Sequence, residues 1–272
     1  NFQKYGNIDL LFTQFSYAWW MGKPKEKYKR VKAANEILEG LLLEIKNLMP
    51  KFTAPFASFI YYCHEENQYM NDGRTNFKQI IDKISCTISK PIIFYPGDEW
   101  EVGKENFNND LNISKYLSEF NNSKKNNLIK SNKIPIEILL NCAAKYFLRI
   151  KNKNGKFLMI IFCLFAKIMY FFSKSKRFAG YSGIKIYLID YDKCFNFNWI
   201  KGFFEVSNYK NIDIKISSES LDYIFRYEWG VDTLLVNGRA YMMDDNTPNK
   251  IRKAFSLGLL NSNGINLLSA IF

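Results

Sequence analysis

Between Ile8 and Val102 the hydrophobic period switches back and forth between strand and helix spacing, and this restricts the fold more than any other feature of the chain. Ile8 to Phe15 is an apolar run of strand character ending in the cluster Ser16, Tyr17, Trp19 and Trp20. From Glu26 onward, Val31, Ala34, Leu38, Leu41, Leu42, Ile45 and Leu48 recur at helical spacing, which places them on one face of an amphipathic helix. Pro50 stops that helix. Phe52 to Tyr62 returns to β-formers and aromatics, with Pro55 predicting an edge strand or a strand start. Tyr69 to Arg74 contains Asp72-Gly73, turn chemistry that supports positive φ. Phe77 to Ile84 reads as a short helix and Pro91 to Tyr95 as a compact strand. Pro96-Gly97-Asp98 then turns tightly into Trp100 to Val102. Alternation of this kind predicts an α/β layer architecture.

Beyond it the pattern changes twice. Leu111 to Phe120 reads as a helix, and the polar, low-complexity stretch Asn121 to Lys133 as a loop or boundary. Ile134 to Ile150 carries Ile134, Ile138, Leu139, Ala143 and Phe147 on one helical side. Phe157 to Phe172 is apolar except for Lys167 and is flanked by Lys151, Lys153 and Lys156 before it and Lys174, Lys176 and Arg177 after it. The final stretch predicts a hairpin of Ile184–Ile189 with Phe195–Trp199 and a strand in Asn211–Ile216. Ser217 or Ser218 caps a helix running to Tyr227. Asn237-Gly238 between Thr233–Val236 and Ala240–Met243 reads as a second hairpin, and Thr247-Pro248 opens a last helix. The expected organisation is an α/β region over 1–122, a basic helical segment over 123–180 and a small α+β module over 181–272.

The formal net charge of +12 comes from one stretch. Residues 124–177 hold 13 Lys/Arg against the single acid Glu137, while the regions on either side are each balanced. Cys63, Cys86, Cys142, Cys163 and Cys194 are scattered without CxxC spacing, which predicts reduced thiols in a cytoplasmic protein, not a disulfide framework or a structural zinc site. Because Asn1 is closely followed by a strand, the chain reads as a fragment that opens in mid-sheet.

Few residues offer chemistry. Glycine-rich phosphate loops are missing, and no GxSxG elbow supplies a nucleophile. His64, the one histidine, follows an apolar strand in FIYYCHEEN, with Glu65 and Glu66 next to it and Asp72 in the following turn. Strand ends are where open α/β folds place ligands. A catalytic zinc site, however, needs three protein ligands, so spacing leaves His64 open between a surface histidine and a metal ligand. Tyr17, Trp19 and Trp20 are equally open between a substrate cleft, core and a contact patch. Three readings remain for Phe157–Phe172: a buried helix whose lysines project into solvent, a helix lying at an anionic membrane surface, and nucleic-acid binding. The last is set aside, because the aromatics cluster in apolar runs and do not alternate with lysines as a stacking platform requires.

The strings DLLFTQFSYAWW (9–20), LMP (48–50), PFASFIYYCHEENQYMND (55–72) and IIFYPGDEWEVG (92–103), in that order and spacing, resemble one branch of the metallo-β-lactamase fold. That branch comprises CMP-N-acetylneuraminate hydroxylase-like and L-ascorbate-6-phosphate lactonase-like proteins. The string ISSESLDYIFRYEWGVDTLLVNGR (216–239) looks like the carboxy-terminal module of the bacterial relatives. The resemblance implies the second half of an αββα sandwich, followed by basic helices and a small α+β module. It makes His64 the counterpart of the last histidine ligand. The HxHxDH motif and the metal-binding aspartate have no counterpart here, and neither does the Cys/His pattern of a Rieske domain, so hydroxylation is not implied.

The leading expectation is therefore the carboxy-terminal part of a metal-dependent hydrolase-like enzyme for a small anionic or sugar-derived metabolite. It would use a divalent metal, by expectation zinc, with His64 as one ligand, no catalytic residue assigned, and the amino-terminal half of the domain as its partner. The fragment alone is expected to be inactive and not to retain the metal. The alternative is a non-catalytic membrane-surface or partner-binding module using residues 134–177, which would make a cytoplasmic protein membrane-peripheral.

Overall fold

The computed structural model describes residues 6–104, 107–173, 180–181 and 183–269. The chain is mixed α/β and divides into two compact units. The first comprises residues up to Cys63 together with Gln68–Ile129; the second comprises His64–Asn67 and residues from Lys130 onward.

In the first unit β1 (Leu10–Gln14), α1 (Lys27–Leu48), β2 (Phe52–Phe56), α2 (Phe77–Ser85) and β3 (Lys90–Pro91) follow in order, with all strand pairings parallel and β2 central. The alternation expected from the sequence is thus present. Phe15, Leu41, Ile45, Phe77, Ile80 and Ile84 form one core, against which Leu11 packs. Leu10 turns the other way, towards Phe52, Ala54 and Ile92, as alternation along a strand requires. The chain leaves α1 through Met49 at φ 46, directly before Pro50. α3 (Asn109–Lys125) completes the unit and runs through part of the polar stretch expected to be a loop.

Pro55 lies in the central strand, against the expectation of an edge. β3 pairs only with Phe52 and Thr53, so at Pro55 the strand has β1 on one side and no ladder partner on the other. A missing N–H costs nothing there. Gln68–Gly73 is a 3-10 turn, and Gly73 is not at positive φ. Glycine is needed for space: a Cβ on Gly73 would lie 2.5 Å from Arg30 Cβ, so the turn is seated directly on α1.

The second unit contains α4 (Ile136–Asn154), α5 (Lys156–Ser173), β4 (Ile184–Leu188), β5 (Lys193–Asn198), β6 (Gly202–Val206), β7 (Ile214–Ile216), α6 (Ser218–Arg226), α7 (Gly230–Asn237), β8 (Ala240–Met242), α8 (Thr247–Ala254) and α9 (Ser256–Ser262). The sheet order is β6-β5-β4-β7-β8, antiparallel except for β4 with β7. The β4–β5 hairpin and the Ser217-capped α6 match the sequence expectations. The second hairpin does not: Thr233–Val236 lies inside α7, and Gly238 at φ 63 caps that helix through its N–H to Leu234 O. Asn-Gly suits a type I′ turn and a left-handed helix cap equally, because both need positive φ. α4 buries Leu139, Ala143, Tyr146 and Ile150, and the Tyr146 ring packs against Phe197, Phe225 and Phe255. Its last residue, Asn154, donates to Asn261 Oδ1 at 2.7 Å and accepts from the Leu267 N–H at 2.7 Å.

Candidate functional site

His64 belongs to a four-residue segment that packs with the second unit. Asn67 Oδ1 accepts from the His64 N–H at 3.0 Å, and Asn67 Nδ2 donates to Asn237 O at 2.7 Å, which ties the segment to the end of α7. A chain of polar groups continues beside it. Ser131 Oγ donates to Glu66, while Arg239 Nη2 donates to Ser131 Oγ at 2.9 Å and to Glu219 Oε2 at 2.5 Å; Asn132 Nδ2 donates to Glu219 Oε1 at 2.8 Å. Burial would raise the Glu219 carboxyl, but the Arg239 and Asn132 hydrogen bonds outweigh it and hold the group below its ordinary range. His64 is held below its ordinary range by burial and then by the Arg239 charge, against the opposing pull of Glu66 and Glu219. A neutral imidazole is the form that accepts protons and ligates metals.

The donor set around His64 does not make a metal centre by itself. Among the described residues no three His, Cys, Asp or Glu side chains converge, and the Arg239 charge acts on the imidazole against the pull of Glu66 and Glu219. Of the acids near it in sequence, Glu65 faces Lys130 at 3.7 Å, and Asp72 is engaged by Arg30. Tyr17 and Trp20 are buried, and Tyr17 OH donates to Met70 O; only Trp19 is exposed. Arg239, Ser131 and Glu219 escape the sequence reading because the residues that meet are far apart in the chain, and no spacing connects them.

The basic segment holds the larger surprise. A buried helix is one of the readings the sequence allows for α5, yet it buries only Met159, Cys163 and Ala166, residues one helical turn apart on a single narrow face. Phe157 is 75 % exposed and Phe172 78 %, with Ile161, Leu164 and Ile168 also exposed between them. A sixteen-residue stretch that is apolar except for Lys167 looks like core by length, and only the placement of small Ala166 and Cys163 inward distinguishes one side. On this face burial pushes the Cys163 thiol up to about 11, and beside it the Phe162 ring meets Tyr181 edge-on at 5.2 Å. α5 is also long and apolar enough, by length and composition, to cross a membrane.

No family model, curated protein or solved structure matches the chain.

Lys151 and Lys153 in the last turn of α4 and Lys156 at the start of α5 bring three cations to one end of this apolar surface. Lys153 Nζ also reaches Asn261 O at 3.3 Å. Lys167 emerges from the exposed side. Lys174, Lys176 and Arg177 lie outside the described residues. An apolar band flanked by cations is the arrangement that anionic lipid recognises.

Proposed function

We propose that the chain works at an anionic membrane surface, with α5 lying in the plane of the interface. The observation that carries this reading is the exposed apolar side of α5 beside Lys151, Lys153 and Lys156. Eighteen residues give a helix of about 27 Å, close to a hydrocarbon core of about 30 Å, so length alone does not decide between spanning and lying in the plane. Its inner face, at Met159, Cys163 and Ala166, is already committed to protein. An in-plane helix keeps that face on the protein, while a spanning one would have to strip it. Fully burying each large apolar side chain contributes about 1.5–3 kcal/mol, and each lysine near an anionic surface about 1 kcal/mol. Lys167 reaches headgroups by extending its stem along the interface. Flotation with vesicles containing phosphatidylserine tests the reading: the chain rises with the vesicles, and charge reversal at Lys151, Lys153 and Lys156 leaves it at the bottom. Failure of the unaltered chain to float at physiological salt would sink it.

A second reading keeps the metal-dependent hydrolase for a small anionic or sugar-derived metabolite, with His64 as one ligand supplied to a site whose other ligands lie in an amino-terminal half. The order β1–α1–β2–α2–β3 supports the second half of an αββα sandwich, and the lowered His64 supports a ligating imidazole. By this account residues 1–272 alone neither bind zinc stoichiometrically nor hydrolyse an ester or lactone. Zinc at one equivalent together with hydrolysis by the purified chain would overturn that.

A further inference from the structure

The first unit contains a half-buried arginine, Arg74, that has no ion-pair partner among the described residues. Arg74 lies between the 3-10 turn and α2. Its Nη2 donates to Ser58 O, and its guanidinium carbon sits 5.2 Å from the centre of the Phe120 ring. No acidic side chain pairs with it among the described residues. Its Nε is sealed from solvent without a hydrogen-bond partner, and so is Oγ1 of the neighbouring Thr75. Burial holds the guanidinium below the ordinary arginine range, with only the Tyr62 and Tyr17 hydroxyls opposing. Leaving a cation and a donor in this state is costly unless something completes them.

Arg74 and Thr75 line a cavity of about 200 Å³ that also takes in Tyr61, Phe77, Phe120 and Lys124. No carboxylate lines it. Asn76 and Phe77 on its wall begin α2, so the positive end of that helix adds to the two side-chain cations.

We propose that this cavity binds an oxyanion, phosphate or carboxylate, carried on a small molecule with a flat apolar body. Arg74 brings its charge to the wall of the cavity, and Lys124 supplies a second cation from the solvent-exposed side of α3. Rotation of the Arg74 and Thr75 side chains turns Nε–H and Oγ1–H, which lack partners among the described residues, onto the oxygens of the anion. A planar guanidinium suits two oxygens of one anion at once. Tyr61, Leu117 and Phe120 accommodate the apolar body, and the volume restricts it to about the size of one ring. The inference is independent of the membrane reading, because it involves only the first unit and no lipid.

Calorimetric titration of the full chain at fixed ionic strength tests it, with inorganic phosphate, phenyl phosphate, benzoate and phenol as separate probes. Saturable binding of phenyl phosphate or benzoate, with phenol silent, is expected, and which anion binds identifies the group. Lys124→Glu, on an exposed position that leaves folding intact, should weaken binding roughly tenfold, and Thr75→Val by a similar factor. Arg74→Lys, which keeps the charge but loses the fork, should weaken it at least as much. The proposal is overturned if no anion binds saturably to the unaltered chain, or if Lys124→Glu and Thr75→Val both bind as the unaltered chain does.

Discussion

α1 in the first unit and α5 in the second are both long helices, and they treat their two sides in opposite ways. α1 turns Lys32 and Glu36 outward as an exposed pair at 3.7 Å and buries Leu38, Leu41 and Ile45, together with a wholly enclosed Arg30. That arginine is completed on every side: Asp72 accepts from Nε at 2.6 Å and from Nη2 at 3.0 Å, and the Lys23 and Pro24 carbonyls take further bonds at 2.7 and 2.9 Å. α5 buries a thin strip of small or flexible residues and turns its largest apolar side chains outward. Most of the hydrophobic surface of α1 is used in folding, whereas most of that of α5 is left over. This left-over apolar side, with Lys151, Lys153 and Lys156 beside it, is the feature on which the proposed membrane docking rests.

Stability measurements separate the two helices. The largest effect should come from Asp72→Ala, which leaves Arg30 enclosed without its acid and costs about 3–5 kcal/mol in urea unfolding. A loss below about 1 kcal/mol would show that Arg30 is less enclosed than described. Next comes the contrast between Leu41→Ala on α1, at about 2–5 kcal/mol, and Leu164→Ala on the outer side of α5, within about 0.5 kcal/mol. Equal costs would mean that the outer side of α5 is packed in solution and would remove the comparison.

Much of α1 and little of α5 could be read from the sequence. In α1 the apolar repeat from Val31 to Leu48 names Ala34, Leu38, Leu41 and Ile45 of the buried face, although Val31 itself is exposed, and Ser217 announces α6 through its cap. Periodicity gives no direction for α5, because nearly every position is apolar and a helix hydrophobic all round is ordinarily buried. At Asn237-Gly238 the local chemistry fits two structures, and packing of Val231, Leu234 and Leu235 decides for helix. His64 was legible as a residue of interest, while its electrostatic partner Arg239 was not, since tertiary structure alone brings them together.

Two smaller effects sharpen the account. Alkylation should modify the exposed Cys86 first and leave Cys163 unreacted while α5 stays seated, since its thiol is pushed up to about 11. Reaction of Cys163 at the rate of Cys86 would mean that the inner face of α5 opens readily. The smallest effect concerns His64. Its folded pKa lies below the ordinary 6.5, so the unfolded state takes up the proton more readily as pH falls through that value. The melting temperature of the unaltered chain, relative to His64→Gln, should therefore decline from neutral pH downward and level off below the folded pKa. A difference independent of pH would show that burial and Arg239 do not act on the imidazole.

The most direct test of membrane docking leaves the lysines alone and changes only the outer side of α5. Leu164→Glu combined with Ile168→Glu keeps Met159, Cys163 and Ala166 in place. The account predicts an unchanged melting temperature, flotation of the unaltered chain with phosphatidylserine vesicles, and none for the double variant. Equal flotation of both would contradict it, because the apolar side of α5 would then have no part in binding.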